Sequence, residues 1–174
     1  MFEEIILRCV QRILECDLEL LEKKKLDSFE IIGLEQFHKT EIGGFEFVGF
    51  IDRLDSFDKG TLRVVDYKTG HVTDEEMEIR DDNAEKVANA LFARKGSNKN
   101  RPGIALQIYI YDRMMEKERK GRKILNSIYH TSRLFSEGIR SSEPNGLFDS
   151  MVEPKLLETL GEIKDVSYWT HCLP

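Results

Sequence analysis

Two acidic residues and a lysine stand in a pattern that suits metal-dependent hydrolysis of a phosphodiester bond. They are Asp52, Asp66 and Lys68, within GFIDRLDSFDKGTLRVVDYKTG, residues 49–70. Two facing carboxylates repel each other unless a cation neutralises them, and hard cations such as Mg²⁺ and Mn²⁺ prefer oxygen ligands. A lysine beside such a cation can orient the attacking water and stabilise the charge that develops on phosphate. The alternative is that these are turn residues joined by a surface salt bridge.

Two predicted strands position these groups. Residues 61–68 form one strand, and side chains alternate across a strand with a period of two. The residues that share its first face are Leu62, Val64, Asp66 and Lys68. The preceding strand, residues 45–52, is expected to present Val48, Phe50 and Asp52 on one face. A tight turn between the strands then brings their acid-bearing ends together.

The remaining pattern predicts helices packed around one mixed sheet. Helices are expected over residues 2–25, 84–95, 104–118 and 154–164, and strands over residues 29–37, 45–52, 61–68 and 123–130. Gly43-Gly44 predicts a hairpin turn, so the first three strands form an antiparallel meander. Residues 71–83 and 136–146 are expected to be loops, and residues 96–103 (GSNKNRPG) are the most linker-like stretch. The order predicts a single α/β or α+β domain, residues 1–174, with a mixed central sheet flanked by helices.

The first helix carries an apolar stripe that we expect to be buried. Its members are Phe2, Ile6, Cys9, Val10, Ile13, Leu14, Leu18 and Leu21. Cys9 and Cys16 lie seven residues apart in this helix, which favours core packing over a metal or redox role. With Cys172 the count is odd, so no disulfide framework is expected and a reducing compartment is favoured.

The net charge of the chain indicates which kinds of molecule it can bind. A net charge of −6 argues against a simple nucleic-acid binder, which is usually basic. A hydrolytic metal site nevertheless needs clustered carboxylates, and bound divalent cations reverse the local sign. Basic residues form two runs, Arg94, Lys95, Lys99 and Arg101, and Lys117, Arg119, Lys120, Arg122 and Lys123. Each run alone is more typical of a solvated surface than of a DNA track. No apolar run approaches a membrane span and no signal-peptide pattern opens the chain, which favours a cytoplasmic protein without membrane contact.

GFIDRLD followed by VVDYKTG resembles the PD-(D/E)XK nuclease superfamily, and within it the RecB/AddB-type nuclease domains of recombinational-repair helicase-nucleases. The resemblance implies a restriction-endonuclease-like core in which Asp52 and Asp66 are metal ligands and the backbone carbonyl of Tyr67 adds a third oxygen. Lys68 matches the lysine of the motif. The implied cofactor is Mg²⁺ or Mn²⁺.

The same resemblance identifies three further residues as candidates for the site. The family has a glutamine and a tyrosine spaced Q-x3-Y on the following helix, and Gln107 and Tyr111 in LQIYIYDRM match that spacing. Residues at i and i+4 share one helix face, so both are implied to bind substrate, although Gln107 as an ordinary polar helix residue is the alternative. The family also has an acid on the strand before the Gly-Asp motif. Glu35 in GLEQFHK is the candidate and Glu30 is the second choice, with a plain surface glutamate as the other interpretation.

Two features of the group are missing from this sequence. Its members place a histidine on an upstream helix, whereas the histidines here are His38, His71, His130 and His171. None of these fits that position, and a metal-binding role is disfavoured for each; His71 ranks first among them because it lies nearest to Lys68. The iron–sulfur cysteines of some relatives are also missing. We interpret the chain as the C-terminal part of a longer protein, cut after the histidine-bearing helix; a complete domain in which the histidine is dispensable is the alternative.

The sequence therefore predicts a Mg²⁺- or Mn²⁺-dependent deoxyribonuclease. By the resemblance it is an exonuclease of recombinational DNA repair, with DNA as substrate and a helicase domain or subunit as partner. The alternative is a weak or inactive nuclease-fold module that binds DNA or docks a helicase. The missing histidine and the acidic charge favour that alternative, and the complete D…DYK set opposes it. A structural interaction domain whose strand acids form salt bridges is a third possibility.

Overall fold

A mixed sheet of five strands is the centre of the fold in the computed structural model, which describes residues 2–70, 72–93, 101–165 and 167. The strands are β1 (Glu30–Ile42), β2 (Phe45–Ser56), β3 (Thr61–Lys68), β4 (Lys123–His130) and β5 (Arg140–Ser142). The helices are α1 (Phe2–Lys24), α2 (Asp74–Met77), α3 (Ala84–Leu91), α4 (Gly103–Met115) and α5 (Gly146–Lys164). The strands lie in the order β1-β2-β3-β4-β5, with β3 and β4 parallel and the other pairs antiparallel. The predicted α+β architecture with a mixed sheet flanked by helices is confirmed.

Turn residues explain why β1, β2 and β3 form the predicted antiparallel meander. Gly43 and Gly44 have φ values of 57° and 82°, and a two-residue hairpin turn of type I′ requires such left-handed values at both positions. In the second turn, the backbone N–H of Gly60 donates to the Asp58 carboxylate at 2.7 Å. The Ser56 hydroxyl also donates to the carbonyl of Thr61 at 2.6 Å, which closes that turn.

Helix α4 covers one face of the sheet. It lies in the crossover from β3 to β4, because parallel neighbours need a long connection that returns over the sheet. Tyr111 and Met115 of α4 share a buried apolar cluster with Leu62 and Val64 of β3. The predicted face of β3 is therefore the face against α4.

Helix α1 covers the other face, and a buried ion pair sets its orientation. The Asp17 carboxylate accepts hydrogen bonds from both terminal nitrogens of Arg53 at 2.8 Å, and from Arg63 Nη2 at 3.3 Å. Cys16 is buried beside Asp17 in a cluster that includes Val65, and it carries a free thiol. Core packing of Cys16 therefore agrees with the prediction.

The predicted buried stripe of α1 is wrong for half of its members. Ile6, Val10, Leu14 and Leu18 are 49% to 59% exposed. Apolar residues surround much of this helix, so periodicity alone does not select the buried side. The Asp17 carboxylate selects it, because two buried guanidinium groups need that partner.

Helix α5 begins eight residues before the predicted start at residue 154. Asn145 caps it, with its side-chain oxygen accepting from the backbone N–H of Phe148 at 2.8 Å. Pro154 lies inside the helix and not in its first turn. The buried residues are Phe148, Val152 and Leu156, a spacing of four that polar neighbours obscure in the sequence.

Two segments predicted as loops contain regular structure. Thr73 and Glu76 form a capping box that starts the one-turn helix α2. Residues 136–146 contain β5, which pairs with β4. Helix α3 ends at Leu91, and residues 94–100, where the predicted helix end and most of the linker lie, are outside the described residues. In the described ranges no helix combines the length and apolar character needed to cross a membrane.

Candidate active site

Asp66 and Lys68 lie at the C-terminal end of β3 on the face that α4 covers. The Asp66 side chain is buried, whereas that of Lys68 is partly exposed. The Lys68 ammonium nitrogen lies 2.8 Å from Asp66 Oδ2. The alternation predicted for β3 therefore places a carboxylate and an ammonium group together at the C-terminal end of this central strand.

Gln107 on α4 connects these two groups to Tyr111. Its side-chain oxygen accepts a hydrogen bond from Lys68 Nζ at 2.7 Å. Its side-chain nitrogen donates to Asp66 Oδ1 at 3.0 Å and to the Tyr111 hydroxyl at 2.6 Å. The Tyr111 hydroxyl in turn donates to the carbonyl oxygen of Phe50 at 3.0 Å. One turn of α4 thus holds both ends of the β3 acid–lysine pair and contacts β2.

Asp52 lies where β2 separates from β3. The ladder between these strands ends at Arg53 and Val65, so Asp52 would be the next residue opposite Asp66. At this point the Asp52 carboxylate accepts a hydrogen bond from the backbone N–H of Tyr67 at 2.8 Å. A side chain therefore takes the place of a backbone acceptor, and the two carboxylates lie on adjacent strands.

The face predicted for Asp52 is wrong, because the alternation of β2 is interrupted next to it. Val48 and Phe50 are 58% and 57% exposed. Ile51 and Leu54 belong to one buried cluster although they are three residues apart, which a regular strand does not allow. Asp52 therefore does not continue the face of Val48 and Phe50 and turns instead toward β3.

Glu35 falls opposite Asp52 in the register of β1 and β2. Its φ of 48° lies in the left-handed region, which is uncommon for a residue with a side chain. The Glu35 side chain is exposed and makes no hydrogen bond or ion pair with another described residue. Glu30, the second choice, pairs with Ser56 and lies about 13 Å along β2 from Asp52. Of the two, only Glu35 is near the site.

Tyr67 connects the site to the buried network under the sheet. Its backbone lies between Asp66 and Lys68, while its ring packs edge-on against Tyr129 at 5.4 Å on the opposite face. Arg53 Nη1 donates to the Tyr67 hydroxyl at 3.2 Å. Burial raises the pKa of Tyr67, so the ring stays neutral between these groups.

His130 is a site neighbour that the sequence reasoning missed. It pairs with Lys68 in the parallel register of β3 and β4, and its ring is buried. One ring nitrogen contacts the carbonyl of Gly70 and the other lies 3.0 Å from the Ser132 hydroxyl. Both nitrogens therefore have protein partners, and the ring holds the segment that follows Lys68. Only the β3–β4 register would have revealed this position.

Several residues named in the sequence lie outside the described residues. They are His71, Arg94, Lys95, Lys99, His171 and Cys172.

Burial and neighbouring charges set the titration of the site. Burial raises the pKa of Asp66, the bonded Lys68 opposes this, and the charge of Asp52 adds to the increase. Burial also raises the pKa of Tyr111 to about 12, against the hydrogen bond from Gln107. The Tyr111 phenol is therefore neutral at ordinary pH and remains a hydrogen-bond donor.

The donor set fits a hard divalent cation. Asp66 Oδ2 is buried, with the Lys68 ammonium group 2.8 Å away, and Tyr67 N–H contacts only one oxygen of Asp52. No group of three or more histidine, cysteine or acidic side chains converges within the part of the chain that the structure describes. Mg²⁺ commonly binds through one or two carboxylates, with waters and substrate phosphates as its other ligands. Two carboxylates are therefore sufficient for such a site.

An open groove of about 420 Å³ adjoins Gln107 and Tyr111. Its other walls are mainly apolar and include Val48, Phe50, Leu106, Ile110 and Met114. A polar, charged cluster therefore borders a surface on which an apolar ring could pack.

Comparison with known protein families gives one match for this chain. Residues 3–157 match the sequence profile of the PD-(D/E)XK nuclease superfamily. The match includes all of α1 except Phe2, the whole sheet and every site residue named above. A comparison with curated proteins found no significant match.

Proposed function

Because the chain belongs to the PD-(D/E)XK nuclease superfamily, we propose that it is a metal-dependent deoxyribonuclease whose site residues are Asp52, Asp66 and Lys68. Membership implies a nuclease, and nucleases of this superfamily generally use a divalent metal ion, typically Mg²⁺. The observation that supports these residues is the hydrogen-bonded group in which Gln107 holds Lys68 and Asp66 beside Asp52.

Asp52, Asp66 and the backbone carbonyl of Tyr67 are the proposed ligands of Mg²⁺ or Mn²⁺. When bound, such an ion polarises a phosphoryl oxygen and makes water a stronger nucleophile at neutral pH. The Asp52 carboxylate is oriented for this role by the backbone N–H of Tyr67. The Asp66 carboxylate is oriented by the side-chain amide of Gln107.

Lys68 supplies the positive charge on the protein side. Its ammonium group keeps three donors, of which one bonds to Gln107 and one faces Asp66. A scissile phosphate at this edge would bring its oxygens within reach of the remaining donor. We propose that Lys68 orients the attacking water and stabilises the negative charge that develops on phosphate.

Gln107 and Tyr111 have a positioning role in this proposal and border the substrate groove. The Tyr111 hydroxyl bonds to β2 through the carbonyl of Phe50, so the two residues set the spacing of α4 and the two acid-bearing strands. The apolar groove beside them has room for the sugar or base of an adjoining nucleotide. Glu35 is the proposed additional acid, because it falls opposite Asp52 between the pairs Leu34–Arg53 and Gln36–Ile51.

The finer assignment also belongs to the proposal. We propose a RecB/AddB-type exonuclease of recombinational DNA repair that works with a helicase domain or subunit. GFIDRLD, VVDYKTG and the Q-x3-Y pair support this assignment. The second candidate is a nuclease-fold module that binds DNA without cutting it, and the lack of the upstream histidine favours it.

Cleavage of linear and nicked circular DNA tests the proposal directly. Wild type, Asp66→Ala and Lys68→Ala are incubated with each DNA in Mg²⁺, Mn²⁺ or EDTA. Removing one group that stabilises transition-state charge typically lowers kcat about 10²- to 10³-fold, and we expect at least this loss for both variants. Lys39→Ala is a matched control, because Lys39 is an exposed lysine whose one ion pair among the described residues is with Glu46.

The outcomes separate the two candidates. Cleavage that removes nucleotides from the ends of linear DNA, and that is lost in both variants and kept in Lys39→Ala, would support the exonuclease. Undiminished cleavage in Asp66→Ala and Lys68→Ala would refute the proposed site. Calorimetry with Mn²⁺ adds a readout independent of turnover: DNA binding with neither Mn²⁺ binding nor cleavage would identify the non-catalytic module.

A further inference from the structure

Six basic residues gather at the end of the sheet that is opposite to the candidate active site. They are Lys59, Lys117, Arg119, Lys120, Arg122 and Lys123, which we call the basic cluster. Lys59 lies in the turn between β2 and β3, and the others lie between α4 and the start of β4. The two segments are adjacent, because the backbone N–H of Lys123 donates to the carbonyl of Gly60 at 2.7 Å. The fold thus adds Lys59 to the basic run seen in the sequence.

Most residues of the basic cluster lack an ion-pair partner among the described residues. Among the described residues, Lys59, Lys117, Arg119 and Lys120 make no ion pair, and all four are exposed. Lys123 approaches Glu143 only to 3.7 Å.

Two of the nearby acids, Asp58 and Glu118, have other partners. The carboxylate of Asp58 accepts from the N–H of Gly60, and Glu118 bonds to the ring of His38 at 3.0 Å. Like charges that outnumber the acids around them repel one another, so this surface favours an anionic ligand.

A cavity of about 580 Å³ opens within the basic cluster. Lys59, Lys120 and Arg122 line it together with Phe29 and Phe57, and the acids Glu30 and Asp58 also reach it. This volume lies in the range of ligand clefts. Three basic side chains and two aromatic rings thus line one cavity, and the basic side chains suit a phosphate group.

The loop that presents these groups is held in place by its own backbone. Lys120 and Gly121 have φ values of 48° and 84°, which turn the chain sharply after α4. The guanidinium group of Arg122 donates to the carbonyls of Arg119 and Glu118 at 3.2 and 3.3 Å, and so caps the end of that helix segment. Arg122 therefore has a structural role, while the Lys120 side chain stays free for a ligand.

We propose that the basic cluster is a second binding surface for the phosphate backbone of nucleic acid, separate from the cleavage site. This rests on the proposed function, since it supposes a nucleic-acid substrate. The distance between the basic cluster and the cleavage site follows from the length of β3. Thr61 adjoins the cluster, and Asp66 follows five residues later, about 17 Å away. Successive phosphates of one B-DNA strand are about 3.4 Å apart along the axis, so the cluster would hold phosphates about five nucleotides from the scissile bond.

DNA binding in EDTA, followed by fluorescence anisotropy over a range of salt concentrations, tests the inference without any cleavage. The cluster variant is Lys59→Gln/Arg119→Gln/Lys120→Gln, which spares Arg122. The matched control is Lys39→Gln/Lys86→Gln/Lys164→Gln, on β1, α3 and α5. Each variant removes three positive charges, from −6 to −9, so any difference reflects position and not net charge.

The cluster variant should bind duplex DNA about ten-fold more weakly at 0.1 M salt for each phosphate that it no longer neutralises. Its slope of log affinity against log salt should fall by about 0.9 for each such phosphate. The control should keep the wild-type slope. Equal affinities and slopes for the two variants would overturn the inference and leave the cluster to an acidic protein surface. Thermal unfolding of both variants verifies that they are folded.

The two proposals fail in different ways. Loss of binding in the cluster variant together with a wild type that never cleaves would contradict the nuclease proposal alone. Cleavage by the wild type with unchanged binding in the cluster variant would contradict this inference alone.

Discussion

Replacing Gln107 by alanine should slow the proposed cleavage without unfolding the protein. Gln107 makes hydrogen bonds of 2.7 Å to Lys68, 3.0 Å to Asp66 and 2.6 Å to Tyr111, and the first two partners are charged. Alanine is the best helix former, so α4 should persist. What the variant loses is the orientation of the acid and the lysine on β3.

The size of the effect follows from these hydrogen bonds. A hydrogen bond to a charged group contributes about 1.5–3 kcal/mol. Only the interaction that is stronger in the transition state slows the reaction, and for Gln107 this is the bond that orients Lys68. A barrier higher by about 1.5–3 kcal/mol lowers kcat about 10- to 150-fold.

Single-turnover cleavage of linear DNA in saturating Mg²⁺ measures this change. Tyr111→Phe is the matched control, because it removes the hydroxyl between Gln107 and Phe50 and leaves both bonds to Lys68 and Asp66. A neutral hydrogen bond contributes about 0.5–1.5 kcal/mol, so this control should lose only about 2- to 12-fold. A wild-type rate for Gln107→Ala, or a larger loss for Tyr111→Phe, would refute the positioning role.

Two further predictions concern stability. Asp17→Ala should lower the free energy of unfolding in urea by about 3–5 kcal/mol, because Arg53 and Arg63 stay buried with one carboxylate fewer; a loss below about 1 kcal/mol would contradict this. Burial raises the pKa of Asp112, which faces Asn126, to about 7, above an unfolded value near 3.9. Its contribution to stability is therefore full below pH 3.9 and lost as the pH rises through 7. Between pH 4 and 8 the wild type should lose up to about 4 kcal/mol that Asp112→Asn keeps, and parallel unfolding curves would exclude this mechanism.

Helix α1 carries no site residue, but its Asp17 supports the site through the buried ion pair with Arg53. Asp17 holds Arg53, and Arg53 bonds to the Tyr67 hydroxyl behind the strand that bears Asp66 and Lys68. Buried charges lose much of their stabilising effect when one partner is displaced. The network therefore keeps β3 in one position relative to β2 at the point where their ladder ends.

The local sequence determined the elements that bear the chemistry. The predicted bounds of β3 and β4, residues 61–68 and 123–130, agree with the structure, because each is a β-prone run bounded by turn residues. The shared face of Asp66 and Lys68 follows from the two-residue period of a strand. Gln107 and Tyr111 share a helix face for the corresponding reason, since they are four residues apart.

The buried side of α1 and the start of α5 were predicted wrongly, because each local pattern is compatible with more than one structure. The exposed side of α1 includes Leu14 and Leu18, which are as apolar as a buried residue. The start of α5 was missed because Pro154 is a frequent first-turn residue, and here the Asn145 cap precedes it by nine positions. Periodicity describes what can be buried, and only contacts between elements select what is buried.

The residues around the chemistry were set by register between distant strands. Asp52 turns to the Tyr67 backbone because β2 loses its alternation beside it, and a period-two pattern does not contain such an interruption. His130 stands next to Lys68 because β4 pairs in parallel with β3 after a crossover of more than fifty residues. Lys59 joins Lys120 for the same reason at the other end of that pairing. The sequence alone determined which residue types face one side of each element, and the tertiary structure decided which of them meet, because register depends on the packing of the whole sheet.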